Sequence, residues 1–286
     1  MPLPPIDLPR LWLPQLGLSG CLRAGIVCDM GGLVPAGRGW HNYFPATPLV
    51  SLIWWLRGGA QRVVAPGFAY EESEPFPGEL SFAGPFTLPN QSCGSGPLHS
   101  IHLLFAADAW QALTGIDPGA YVNQVVDARR LLAREWRTWA QTVRDAADDV
   151  ARLALIDDFL AARWRPLWQT QDARWRRREW LHALAWRAAT TRTGRSLRQI
   201  ERRVKSWAGL PLRELRAMAR SEVAFFTGRA AAIDGDLRWA ELAAATGYAD
   251  QSHLTRETRR MTGFAPAELA RRIRDDESFW VYRLWV

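Results

Sequence analysis

Apolar positions follow two different rhythms along the 286-residue chain. Over residues 1–100 they come in short runs such as LVSLIWWL (49–56), with IHLLF (101–105) just beyond. These runs are separated by 14 of the chain's 18 prolines and 14 of its 22 glycines. Short β-type runs with such punctuation predict an all-β sandwich or barrel, and prolines at this density exclude long interior helices. From about Ala107 the composition turns to Ala, Leu, Arg and Asp. The spacing there predicts helices over 126–139 and 143–164, with Asp117-Pro118 as a helix start. Residues 169–178 (QTQDARWRRR) are polar and basic and mark a boundary. Everything after them reads as helix, broken near Gly194, 209–211, 233–236, Gly247 and Gly263. The expected organisation is α+β, with a β-rich domain over 1–106, a helical segment over 107–170 and an all-α domain over 171–286. The middle segment has two readings, a dimerisation element or a helical cap closing the β-domain.

The helical half repeats itself. SLRQIERRVKSWAGLPLRELRAMAR (196–220) lies over DQSHLTRETRRMTGFAPAELARRIR (250–274) at a constant offset of 54 residues. Arg202 falls on Arg256, Gly209 on Gly263, Glu214 on Glu268, Leu215 on Leu269 and Arg220 on Arg274. Ser196 and Asp250 coincide as N-caps, and both helices run into a glycine that accepts the left-handed conformation ending a helix. Ile200 and Trp207 match Leu254 and Met261 as an inward apolar line. In the second copy, WAELAAAT (239–246) is a short helix whose Ala243 suits close packing, and Gly247-Tyr248 makes a turn. The next helix carries Gln251, Ser252, His253, Arg256, Arg259 and Arg260, leaving Leu254, Met261 and Thr258 for a core. A helix held by one thin apolar line and presenting donors elsewhere suits the major groove, where Gln pairs with adenine and Arg with guanine.

Charge changes the picture because it is uneven. Residues 1–170 hold 13 Lys and Arg against 15 Asp and Glu, a net of −2, whereas residues 171–286 hold 23 against 14, a net of +9. The whole surplus lies with the repeated helices, as expected when one domain faces a polyanion. A single amphipathic helix of this kind is usually a solvated surface. Two at a fixed offset, in the only basic half, point to double-stranded DNA.

The stretch GYADQSHLTRETRRMTGFAPAEL resembles the second helix-turn-helix of the AraC/XylS family of bacterial regulators. SLRQIERRVKSWAGLPLREL resembles the recognition helix of that family's first unit and the start of the linker after it. The resemblance covers roughly residues 180–272. It implies about seven helices, with a long one around 211–226 holding two reading heads in successive major grooves. It places base reading on Arg198, Glu201 and Arg202 in the first unit and on Gln251, Ser252, His253 and Arg256 in the second. It also implies a sequence-specific transcription regulator, a homodimer, RNA polymerase as a partner, and a cupin-like N-terminal barrel that binds a small molecule. The departure is ALAWRAATTRTG (183–194), which lacks the usual helix, glycine and serine pattern before the first recognition helix. That head is therefore expected to sit differently or contribute less. The aromatic tail DDESFWVYRLWV reads as packing back on its own domain, with partner binding as the lesser alternative.

The remaining chemistry is sparse. Cys21, Cys28 and Cys93 fit neither a disulfide framework nor a zinc spacing and read as reduced, buried thiols. His99 and His102, three apart near a strand, fall on opposite faces. No pair of histidines one residue apart marks a metal cupin, and no phosphate loop, G-x-S-x-G or H-E-x-x-H motif occurs. No metal, no cofactor and no catalytic residue is expected. The alternatives are a metal-dependent cupin enzyme with a DNA-binding tail, or a DNA-binding protein without an effector. Trp12, Trp40, Tyr43, Trp54 and Trp55 either line a pocket for a small apolar effector or fill a core. No run is long enough to span a membrane, and MPLPPIDLPR does not read as a secretion signal, which makes the cytoplasm the expected compartment.

Overall fold

The computed structural model describes residues 9–30, 40–63, 73–94, 96–164, 177–191, 196–233 and 238–284. The boundary expected over 169–178 falls largely outside them, as do the turns at Gly194 and 234–236. The N-terminal part contains β1 (Arg10–Trp12), β2 (Leu22–Asp29), β3 (Trp40–Phe44), β4 (Val50–Arg57) and β5 (Gln61–Val63). These are followed by β6 (Ser73–Pro75), β7 (Leu80–Ala83), β8 (Asn90–Gly94), β9 (His99–Phe105) and β10 (Val125–Asp127). A six-stranded antiparallel sheet, β1-β2-β9-β4-β7-β10, faces a four-stranded one, β3-β8-β5-β6. Together they form an open, cupin-like β-barrel.

Strand periodicity divides the larger sheet into two apolar surfaces. On β4, Ser51, Ile53 and Trp55 point between the sheets, while Val50, Leu52 and Trp54 point outward. On β9, Ser100, His102 and Leu104 point inward and Ile101, Leu103 and Phe105 outward. The outer surface is covered by α1 (Ala107–Thr114), α2 (Arg134–Asp145) and α3 (Asp149–Arg163). Trp54 meets Trp139 edge-on at 5.4 Å and donates its indole N–H to the Ala140 carbonyl at 3.0 Å. Phe82 stacks on Trp110 at 4.8 Å, and Trp110, Trp136, Trp139 and Phe159 continue the aromatic chain. The α2–α3 pair is thus seated on the barrel.

Two expectations need correction here. The helix expected over 126–139 begins only at Arg134, because Val125–Asp127 pairs with β7 as an edge strand. Adjacent β-branched valines favour that strand. The Asp127 carboxylate then accepts the Arg129 N–H and starts a short turn instead of a helix. The pocket expected from five aromatics is also reduced. Trp40 and Trp55 line the space between the sheets, but Trp54 faces the helices, Trp12 lies over Gly25 on the outer surface, and Tyr43 turns toward the chain's C-terminus.

The C-terminal part holds α4 (Arg177–Thr190), α5 (Leu197–Ala208), α6 (Leu212–Ile233), α7 (Trp239–Ala245), α8 (Gln251–Thr262), α9 (Pro266–Asp275) and α10 (Trp280–Arg283). The long helix expected over 211–226 continues to Ile233, giving 22 residues and about 33 Å at 1.5 Å each. One apolar core runs from the outer surface of the sheet through Trp180, Leu184 and Ala188 of α4 to Val204, Met218 and Met261. The first repeated helix, α5, packs directly against the barrel part through α1 and the Pro118–Tyr121 turn. At Gly209, which ends α5 with φ +73°, an added Cβ would meet the Gly119 nitrogen at 2.8 Å.

Gly209 therefore serves as a helix terminator and a contact point at once, whereas Gly247 (φ +78°) has open space where a Cβ would stand. Gly247→Ala is expected to cost about 1–2 kcal/mol from the left-handed conformation alone. Gly209→Ala should lose about 1–3 kcal/mol more from backbone overlap, read as the difference between the two denaturant unfolding curves.

Candidate nucleic-acid interface and effector cavity

The two repeated helices fold alike because the same local signals operate. Each has 12 residues. Ser196 caps α5, its hydroxyl accepting the Gln199 N–H while the Gln199 side chain returns to the Ser196 N–H. Asp250 caps α8 by accepting the His253 N–H at 2.6 Å. Both end in left-handed glycines, Gly209 at φ +73° and Gly263 at φ +86°. In the second unit Gly247 turns α7 into α8, and Leu242, Ala243, Tyr248 and Leu254 make a small core beneath Ala224 of α6. Ala243 is fully buried, as its close packing requires. Only Val204 and Ala208 of α5 and Leu254, Met261 and Thr262 of α8 are buried, so most of each helix faces outward.

Arg198, Glu201 and Arg202 are exposed on α5, and Gln251, Ser252 and Arg256 on α8. His253 is half-buried, its ring edge-on to Tyr248 at 5.2 Å and its Nδ1 accepting the Ala249 N–H. Arg213, Arg216, Arg259 and Arg271 are exposed cations of the same domain. Arg260, counted in the sequence among the presented donors, is committed elsewhere. Its guanidinium bridges Glu214 of α6 and Glu257 of its own helix. The i,i+3 spacing to Glu257 was legible, but the partner on α6 was not. Before α5, the atypical stretch 183–194 contributes the end of one helix, α4, whose Trp180, Leu181, Leu184 and Ala188 are buried. Arg187 of that helix lies over the Trp207 ring of α5 at 4.4 Å.

The family comparison agrees with this geometry. Residues 189–272 match a family model described as a helix-turn-helix domain. This is an AraC-type helix-turn-helix domain. The chain that carries it is a DNA-binding transcription regulator. Among solved structures, ToxT from Vibrio cholerae is similar at 11% identity over 85% of this chain and 96% of that one, with a TM-score of 0.36. A ToxT structure bound to unsaturated fatty acid gives 13% identity over 85% and 93% of the two chains, with a TM-score of 0.35. No curated protein sequence matches the chain.

A cavity of about 150 Å³ lies between the two sheets. Its walls include Ile53, Trp55 and Cys28 from the larger sheet and Trp40, Asn42 and Ser92 from the smaller. The ionisable groups on it are held neutral or paired. Burial alone pushes the His102 pKa down to about 4, and the ring sits 3.0 Å from the Ser100 hydroxyl. Burial pushes the Cys28 thiol up to about 12. Arg62 is paired with Glu74. His99, on the opposite face of β9, pairs with Asp149 at 3.0 Å. Among the described residues no three His, Cys, Asp or Glu side chains come together as metal ligands. No helix among them is long and apolar enough to cross a membrane.

The parts of the arrangement that sequence did not reveal are polar pairs between the two domains. Asp108 of α1, whose side chain is 1% exposed, accepts the Trp180 indole N–H at 2.9 Å and Arg187 at 3.0 Å. Burial pushes its carboxyl pKa up, against the opposing pull of those two donors. Arg23 and Glu222 form a second buried pair at 3.5 Å. The Ala46 N–H donates to the Met261 carbonyl in the last turn of α8 at 2.7 Å. These partners are far apart in sequence, and no spacing rule links them.

Arg256→Ala is expected to leave stability within about 0.5 kcal/mol, as for an exposed side chain, and to cost about 1–3 kcal/mol of discrimination at one or two base pairs. Arg260→Ala should destabilise the fold instead, since it strips two carboxylates of their partner. Unfolding curves and binding to single-base operator variants separate the two. For His102 the sign follows from its lowered pKa. As pH falls below 6.5 the unfolded chain takes up a proton that the folded chain refuses, so stability drops until the pH reaches about 4. At pH 5 the loss is about 2 kcal/mol relative to pH 7. His102→Gln should flatten the unfolding free energy by that amount over the same interval.

Proposed function

We propose that this regulator reads two successive major grooves on one face of DNA, with α5 and α8 as its reading heads. Arg198, Glu201 and Arg202 supply contacts in the first groove, and Gln251, Ser252, His253 and Arg256 in the second. The observation that carries this is the pair of equal-length helices, capped and terminated alike, which hold those side chains, all exposed except the half-buried His253, outside any ion pair among the described residues. Surrounding arginines neutralise phosphates and fix the register, so affinity falls steeply with salt. A small apolar molecule in the cavity between the sheets modulates binding. The volume is right for about one ring system, since an apolar cavity near 150 Å³ accommodates benzene. The chain works in the cytoplasm as a homodimer, presenting four heads to two half-sites, and meets RNA polymerase at promoters. Those last features follow the AraC-type pattern.

The test is selection of bound sites from random duplex DNA with the full chain, followed by salt titration of the recovered site. Two short blocks about one helical turn apart, doubled if the chain dimerises, are the expected result. A single block, or enrichment of no sequence at any salt, would sink the two-headed reading.

A further inference from the structure

The effector cavity is not made by the barrel alone. Trp280 and Val281, from the aromatic tail after α9, complete its lining beside Asn42 and Phe44 of β3. The Trp280 indole N–H donates to Asn42 Oδ1 at 2.5 Å, and its ring meets Phe44 edge-on at 6.2 Å. One residue earlier, Phe279 is fully buried and stacks on Tyr43 of β3 at 4.8 Å. Phe279 also meets Phe264, which follows the end of α8, at 5.2 Å. Arg283 ties the tail to α9 by donating to the Ile273 carbonyl at 3.0 Å. One wall of the cavity is therefore a covalent extension of the second reading head.

The chemistry of that wall restricts what can enter. A carboxylate or ammonium would lose its hydration in a cavity where the one lining charge among the described residues, Arg62, is already paired with Glu74. What the cavity does offer is apolar and aromatic surface with neutral hydrogen-bonding groups, Asn42, Ser92 and the Ser100–His102 pair among them. The indole of Trp280 is itself such a molecule, uncharged, with two fused rings and one donor. It occupies the best-defined polar contact on this wall.

We propose that Asn42 and Trp280 are effector-binding residues, and that the effector is an uncharged, ring-sized apolar molecule whose hydrogen-bonding group competes with the Trp280 indole for Asn42. This rests on the reading of the cavity as the effector site. By taking Asn42, the ligand releases the tail from β3 and so changes how firmly the second head is held to the barrel. Occupancy and DNA reading are coupled through the tail.

The test uses the full chain carrying 5-fluorotryptophan, with the resonances of Trp40, Trp55 and Trp280 assigned by single Trp→Phe variants. The probes are indole and, as its charged counterpart, indole-3-carboxylate. Indole should shift the Trp280 signal along with those of Trp40 and Trp55, and the carboxylate should leave all three in place. Asn42→Leu should weaken indole about tenfold, the equivalent of one lost hydrogen bond. Indole should change the DNA affinity of the unsubstituted chain but not that of Trp280→Ala. If indole moves Trp40 and Trp55 while Trp280 stays still, or if Trp280→Ala responds on DNA as the parent does, the tail has no part and the cavity reading alone survives. Binding of the carboxylate in preference to indole overturns the uncharged class. If neither probe touches any of the three tryptophans, both the proposal and the effector cavity fall.

Discussion

The six-stranded sheet is apolar on both faces, and water has to be kept from each. Val50, Leu52, Trp54, Ile101, Leu103 and Phe105 look outward, and burying them takes three helices drawn from the segment after the barrel. At about 25 cal/mol per Å² of apolar area, covering a surface of large aromatics outweighs most single polar contacts in the molecule. The same covering layer does not stop at α3. Its apolar edge continues into α4 and the first repeated helix, so the core that stabilises the barrel also seats the first reading head. The consequence for function is that the two domains share an interior.

The two heads are near copies in sequence, yet they are held to the barrel by different means. The first is docked along its underside, with Gly209 against Gly119 and Arg187 reaching from α4 to the buried carboxylate of Asp108. The second touches the barrel through the Ala46–Met261 backbone hydrogen bond and through the aromatic tail that lies against β3. The first attachment is built into a continuous core and is costly to open. The second, among the described residues, reaches that core only at Met261 in the last turn of α8, and otherwise meets the barrel through the Ala46–Met261 backbone hydrogen bond, the Trp280–Asn42 bond and rings stacked at the rim of a cavity. A ligand that changes that rim acts on the weaker attachment, where a small differential affinity has the greatest effect on the population of states.

Buried charge in this protein marks the seams between parts. Asp108 with Arg187 and Arg23 with Glu222 each join the barrel to the helical domain away from water. Such pairs add little net stability over an apolar contact of the same size, because desolvation offsets their attraction. Either half left alone is strongly unfavourable, so they fix one relative placement of the domains. The cavity shows the opposite arrangement. His102 and Cys28 stay neutral, which suits a cavity for an uncharged molecule.

The amino-acid sequence by itself determined whatever depends on neighbours within about a turn or a strand. Examples are the caps at Ser196 and Asp250, the stops at Gly209 and Gly263, the 54-residue repeat and the exposed donor faces of α5 and α8. Those features made the DNA-binding half legible, because helix caps and periodicity are local energies written in consecutive residues. Sequence also marked the first part as β-rich, with the runs 49–56 and 101–105 falling on strands, though it began a helix at Val126, where an open sheet edge decided the outcome. Only the tertiary structure decided which of the five aromatics face the cavity, that Arg260 serves the fold, and that Trp280 and Val281 of the tail line that cavity. Trp280 and Asn42 are 238 residues apart. Contacts over such distances arise when separate apolar surfaces are brought together to exclude water, and that pairing leaves no periodic mark in the chain.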